Sequence, residues 1–410
     1  MSSVREVRAP SDRAAAGERL GGRVVDDALG EVVIADAFAS VRLRRACSDR
    51  VSIGDLVIAE LDDAGRVRAL EVVGHDVRDA REAAGEVARL GRHARAERLR
   101  RRSALLAEVR AFFAARGFLE VETPLAVPSP GLDLHLDAFA LDAGGEPRFL
   151  ITSPEYQMKR LLAGGMPRIF QIARCFRRGE RGARHNPEFT MLEWYRAFAG
   201  VEAMIDETEQ LVAAIARAAN GAPRLFAPLG QSPRTIDVTP PFERLPIARA
   251  FARHGGMSEE QALALALSGD ADDEERFFRV LVDEVEPKLA EGPPVVLCDY
   301  PVTQASLARK SPRDPRLAER FELFVGGVEL CNGFGELIDP TEQRARLLAD
   351  QAARRAAGLP VYPIDRRFLA ALEEGMPPSA GNALGLDRLI AMALGADEIG
   401  DVMTFPEGWL

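Results

Sequence analysis

The stretch FELFVGGVELCNGFGE, residues 321–336, places Glu322, Glu329 and Glu336 seven positions apart in an otherwise apolar run. Seven is close to two helical turns, but Gly326-Gly327 falls between two strand-like arms and predicts a tight hairpin. In that hairpin Val325 pairs with Val328, Phe324 with Glu329, and Glu322 with Cys331. Residues 322, 324, 329 and 331 then share one face, with the two glutamates diagonal neighbours at roughly 7–8 Å. Two carboxylates converging on a half-buried face repel each other unless a cation sits between them. The alternative is a solvated hairpin rim.

The remaining 394 positions of the 410-residue chain suggest two or three domains with material for a large core. A formal charge of −10 makes any nucleic-acid contact a local patch rather than a general property. Cys47, Cys175, Cys298 and Cys331 stand singly, which fits reduced thiols and argues against a disulfide framework or a zinc site. No apolar run reaches membrane-spanning length, so the expectation is a soluble cytoplasmic protein with no membrane contact.

Residues 1–16 lack an apolar core and are expected to form a disordered lead. Residues 17–75 hold five short β-type runs, LGGRVV, EVVIAD, SVRLRR, DLVIAEL and RVRALEVV, which predict a small OB-like barrel. Phe38 is the only aromatic there, too few for base stacking, so the module is either a bare structural unit or a weak RNA contact. An arginine-rich connecting helix is expected over 76–103, containing RHARAERLRRR. From 104 to 410, strands bounded by separate helices point to an α+β domain around an antiparallel sheet.

Two further stretches carry chemistry. FQIARCFRRGERGARHNPEFTMLEWYR (170–196) reads as strand, loop, strand, and the loop holds Arg177, Arg178, Glu180, Arg181, Arg184 and His185. Guanidinium forks match phosphate oxygens, so a polyphosphate suits this loop; an exposed charged hairpin tip is the bland reading. In GNALGLDRLIAMALG (381–395), Gly381, Ala383 and Gly385 allow close backbone approach to a ligand. Arg388 opens an apolar helix there and must be paired with an acid or bind something.

Together these stretches resemble the three signature motifs of the class II aminoacyl-tRNA synthetases. The helix and strand ending at Pro124 are similar to motif 1, FRRGE…RHNPEF to motif 2, and GNALGLDR to motif 3. Within the class, RHNPEFTMLE and FELFVGGVELCNGFGEL resemble the lysine subgroup. ITSPEYQMKRLL, MLEWYR and PVTQASLAR resemble the branch that attaches lysine or (R)-β-lysine to elongation factor P. What the resemblance implies is ATP-dependent formation of an aminoacyl-adenylate with Mg²⁺, transfer to a lysine of elongation factor P, and a homodimer joined through motif 1. A lysyl-tRNA synthetase acting on tRNA, or a non-catalytic paralogue, is the alternative.

The same resemblance assigns roles. Arg177 holds the α-phosphate and Arg388 the γ-phosphate, with Arg178, Gly179 and Glu180 in the ATP loop. His185 and Asn186 lie at the adenine end, Glu329 and Leu330 flank the nucleotide, and Gly385 lets it approach. Glu322 and Glu329 carry Mg²⁺. Glu336 faces the distal ammonium of the substrate with Tyr195, and Asn332 lies beside them. Ser153, Pro154 and Glu155 of SPEY lie near its other amino group. Several carboxylates with no compensating cation would select a substrate with an extra positive charge. Ala383 stands where lysyl-tRNA synthetases usually have glycine, and its methyl reshapes the pocket where α- and β-lysine differ. Motif 2 ordinarily has Glu at the position of Gly179; here Glu180 follows, so a one-residue shift of the loop is expected.

Overall fold

The computed structural model describes residues 7–12, 17–28, 30–75, 86–91, 94–134, 136–142, 144–227 and 234–409. The chain divides into two compact units between Arg100 and Arg101.

In the first unit, β1 (Arg19–Ala28), β2 (Glu31–Ala35), β3 (Ser40–Arg44), β4 (Leu56–Leu61) and β5 (Val67–Gly74) pair antiparallel in the order β3-β2-β1-β4-β5. Arg45 bridges Val67, which brings the two ends of the sheet together. Alternation sets the inside: Val57, Ala59 and Leu61 of β4 are buried beside Leu20, Val24 and Ile34. The β4–β5 turn is held by Asp62, whose carboxylate accepts from the Ala64 and Arg66 amides. The expectation of a disordered lead fails for residues 7–12: Val7–Arg8 pairs in parallel with Arg19–Leu20, and Pro10 is buried. Residues 76–85 of the expected connecting helix lie outside the described residues.

Helix α1 (Arg95–Ala114) runs past the division. Its Leu105, Val109, Phe112 and Phe113 recur at helical spacing and are buried. Gly117 then takes φ +73°, a left-handed turn that glycine enters without a Cβ clash, and the chain enters β6 (Leu119–Glu120). After a small three-stranded sheet (Ala126–Val127, Ala140–Leu141, Arg148–Leu150) come α2 (Glu155–Ala163), β7 (Arg168–Phe176), β8 (Glu188–Ala197) and α3 (Val201–Asn220), then a short strand pair (Arg224–Phe226, Thr235–Asp237) and β9 (Glu243–Pro246). A helical insertion follows, α4 (Ile247–His254), α5 (Glu259–Leu267) and α6 (Ala271–Val280), with a small core of its own around Phe251 and Phe277. After it come β10 (Val295–Pro301), β11 (Leu317–Val325), β12 (Val328–Gly335), α7 (Pro340–Ala356), α8 (Arg366–Gly375), β13 (Ser379–Gly385) and α9 (Leu386–Leu394).

These strands form one sheet in the order β9-β10-β11-β12-β13-β8-β7-β6, antiparallel through the centre and parallel at both edge pairs. One face is apolar. Leu192 and Trp194 of β8 and Phe321 and Leu323 of β11 meet α1, α3 and α9 there, and the Phe113 and Phe170 rings stack at 4.7 Å. Each such aliphatic side chain contributes about 1.5–3 kcal/mol on burial, which fixes the register of the sheet. Because side chains alternate, Met191, Glu193 and Tyr195 of β8 are directed to the opposite face. That face carries the polar residues.

The 321–336 hairpin forms, but not in the expected register. Val325 pairs with Val328 and Phe324 with Glu329; beyond them Leu323 pairs with Cys331 and Glu322 with Asn332. Leu330 is an extra residue, a β-bulge, and Leu330 and Cys331 both enter the apolar core. The bulge reverses the alternation, so Asn332, Phe334 and Glu336 join Glu322 and Glu329 on the polar face.

Candidate functional site

The polar face holds two adjoining cavities. The first is walled by β8, β12, β13 and the start of α2. Glu155 opens α2, and Lys159 lies one turn later on the same side. Lys159 is 0 % exposed, 2.5 Å from Glu155 Oε1 and 2.6 Å from Glu336 Oε2. Burial works against its charge, but Glu155 and Glu336 outweigh burial and hold the ammonium above its ordinary range. Glu336 is pushed up to about 8 by burial, against the pull of Lys159, and its Oε1 has no hydrogen-bond partner. Glu193 accepts from Ser153 Oγ at 2.7 Å and from the Tyr195 hydroxyl at 2.6 Å. Burial, then the neighbouring Glu155, pushes Glu193 up to about 7.

Two expectations need correction here. The acidic pocket does have an internal cation, Lys159. That one buried ammonium faces Glu155, Glu193 and Glu336, and the cavity itself is lined by Glu155, Glu193, Asp133 and Asp350 as well as by Arg177 and Arg320. The Tyr195 hydroxyl donates to Glu193, and the Tyr195 ring and Glu336 flank Gly381, where a Cβ would fall 2.3 Å from the ring and 2.6 Å from Glu336 Oε1. Gly381 is therefore the residue that lets them approach. Glu336 and Pro154 sit behind the wall of this cavity rather than on it, whereas Ser153, Glu155, Tyr195, Asn332 and Ala383 line it.

The second cavity is lined by basic side chains. Arg388 donates to the Glu329 carbonyl at 2.8 Å, lies 2.7 Å from His185 Nε2 and 3.7 Å from Glu329 Oε2. Burial, then the charge of Arg388, pushes His185 below its usual range, so it stays neutral at pH 7. Arg177 lies over the Phe189 ring at 5.0 Å and 3.5 Å from Glu180. Gly179, at φ +90°, makes the turn that places Glu180 at this cavity. Asn186, Leu330 and Gly385 also line it. Arg178 does not: its guanidinium bonds Asp137 at 3.2 Å. Neither does Gly179. Asn186 is already engaged, donating to the Glu188 carbonyl and accepting from the Glu407 amide.

Glu322 and Glu329 do meet at this cavity. Burial, then the charge of Glu322, raises the Glu329 carboxyl. Glu322 accepts from the Tyr300 hydroxyl at 2.7 Å, from Arg320, and from Asn332 at 3.3 Å, which leaves it one free lone-pair site. Among the described residues no cluster of three metal-binding side chains exists. Two hard carboxylates fit a Mg²⁺ that takes its remaining ligands from phosphate and water.

Sequence reading missed several residues. Lys159 and Glu193 fall inside ITSPEYQMKRLL and MLEWYR without a role being assigned to them, and Arg320 and Tyr300 lie in no motif, because the role of each depends on partners brought together by the fold. Asp387 is another. It is buried, 2.6 Å from Arg102 of α1, and accepts from the Thr190 amide at 2.6 Å, which fixes the start of α9 and so the base of Arg388.

The two cavities share a border that includes Arg177, Met191, Asn332 and Ala383. An acidic pocket thus opens directly onto an arginine-lined one.

Residues 82–408 match the family of tRNA synthetases class II (D, K and N). The chain is 42% identical over 326 residues to an elongation factor P–(R)-β-lysine ligase of Klebsiella pneumoniae, covering 75% of this chain and 94% of that one. Ligases of the same name from Haemophilus influenzae and Vibrio cholerae are 43% and 40% identical over the same shares. Among the described residues no helix is long and apolar enough to cross a membrane. The sheet, the motifs and this similarity agree: the chain belongs to the class II tRNA synthetase family, and within it to the elongation factor P–(R)-β-lysine ligases.

Proposed function

We propose that the protein activates (R)-β-lysine or lysine with ATP and transfers it to a lysine side chain of elongation factor P. The observation that carries this reading is the shared border: a pocket for a cationic amino acid meets a pocket for a polyphosphate at Arg177 and Ala383. The substrate's carboxylate would meet the α-phosphate at that border. Glu155 and Glu193, which line the cavity, would hold the substrate's amino groups, with Glu336 behind them. Arg177 would neutralise the α-phosphate and Arg388 the γ-phosphate as negative charge accumulates on the leaving pyrophosphate. Glu322 and Glu329 would hold Mg²⁺, which supplies charge neutralisation on the phosphates.

Ala383, on the border, places its methyl beside the reacting end of the amino acid and favours one position of the amino group over the other. The protein acts as a homodimer through the α1–β6 region, testable by light scattering; a monodisperse monomer rules this out.

The deciding experiment offers ATP, Mg²⁺ and each lysine isomer to the purified chain with elongation factor P or lysine tRNA. A mass gain on elongation factor P supports the reading. Charged tRNA with unmodified protein overturns it in favour of a tRNA synthetase.

A further inference from the structure

Transfer to a lysine side chain poses a problem that activation does not. The acceptor nitrogen arrives as an ammonium and must lose a proton before it can attack. The activated carbonyl lies where the two cavities meet, so a proton acceptor is needed on that border. Of the residues bordering both cavities, Asp133 is the carboxylate; the others are Leu136, Arg177, Met191, Arg320, Asn332 and Ala383. Asp133 is also exposed, as an acceptor carried by another protein requires.

The backbone around Asp133 is held with unusual care. Arg354 of α7 is 0 % exposed and donates to the carbonyls of Asp133, Leu134 and Leu136, to the Pro360 carbonyl, and to Asp137 Oδ1. The Arg354 guanidinium lies 4.6 Å over the ring of Tyr362, whose hydroxyl accepts from the Ala138 amide. The buried guanidinium thus ties Asp133, Leu134, Leu136 and Asp137 to one another and to Pro360, and leaving it without these acceptors would strand a buried charge. Asp350, also on α7 and bonded by Ser306, lines the same cavity, and burial and the charge of Asp133 raise its carboxyl. Ser129, on the chain leading to Asp133, lines that cavity too. Its side chain is buried, and its hydroxyl has no hydrogen-bond partner. An acidic wall with an unsatisfied hydroxyl beside it suits an incoming ammonium.

We infer that Asp133 receives the acceptor lysine and takes its proton, an inference that rests on the transfer function proposed above. One proton passes from the acceptor Nζ to an Asp133 carboxylate oxygen. The freed lone pair attacks the adenylate carbonyl, the C–N bond forms, and the C–O bond to phosphate breaks with its electron pair leaving on AMP. The second proton on nitrogen is released to water.

The test is single-turnover transfer from preformed adenylate to two nucleophiles, elongation factor P and hydroxylamine, whose nitrogen is already unprotonated at neutral pH. In Asp133→Asn, transfer to elongation factor P should fall about 10²-fold or more relative to reaction with hydroxylamine. In Asp133→Ala, added formate should restore part of the lost transfer. Equal loss with both nucleophiles would overturn the inference and make Asp133 a support of the adenylate. Unchanged transfer would overturn it too, leaving a phosphate oxygen as the base. A wild-type protein that forms adenylate but never modifies elongation factor P would instead refute the proposed function.

Discussion

Lys159 Nζ lies 2.6 Å from Glu336 Oε2, and neither side chain reaches solvent. The pair lies behind the wall of the amino-acid pocket, and Lys159 also holds Glu155, which lines it. The cluster therefore sets both stability and affinity. Replacing Lys159 with Met strands Glu155 and Glu336 without a cation, and breaking a buried pair from one side costs about 3–5 kcal/mol. Thermal unfolding should show a large loss in Lys159→Met and recovery in the double variant Lys159→Met, Glu336→Gln. Equal unfolding temperatures for wild type and single variant would show that the pair contributes nothing.

The carboxyl of Glu193, raised to about 7, makes substrate affinity depend on pH. A raised acid keeps its proton in the folded state after the unfolded chain has lost it. Its contribution to stability is thus full below the ordinary Glu range and is lost as pH rises through about 7. Affinity runs the other way, since a cationic substrate favours the ionised carboxylate. KM for lysine should fall as pH rises through about 7, and Glu193→Gln should flatten that profile. A flat wild-type profile would remove Glu193 from substrate binding.

Glu329 shares one face of the hairpin with Glu322 at the arginine-lined cavity and lies 3.7 Å from Arg388. Glu329→Gln should lower ATP–pyrophosphate exchange by about 10²-fold or more, with circular dichroism and thermal unfolding unchanged. Full exchange activity would deny it the metal role.

Ala383 borders both cavities. One methyl is worth about 1–3 kcal/mol in a shaped pocket, so Ala383→Gly should change the ratio of kcat/KM for (R)-β-lysine and α-lysine about tenfold. The measurement is exchange kinetics with each isomer, and an unchanged ratio would place selectivity elsewhere.

Much of this molecule is legible in the chain. Gly326-Gly327 between two apolar arms specifies the hairpin, and the arginines of the β7–β8 loop and of α9 mark a polyphosphate site by residue type and spacing. Burial is not legible in the same way. Lys159 sits in a helical stretch, QMKRLL, where lysine ordinarily faces water; only the fold brings Glu336 over it. Arg354 likewise sits in an arginine-rich helix, and it is the loop at 133–137 that makes it a buried clamp.

The three glutamates of residues 321–336 mark the division most clearly. Local sequence determined the strands, the glycine turn and the shared face of Glu322 and Glu329, because alternation and turn chemistry act over a few residues. It could not determine Glu336, which simple alternation sends to the opposite face. Tertiary packing decided that: the core takes up both Leu330 and Cys331, the strand bulges by one residue, and Asn332 and Glu336 turn toward the site.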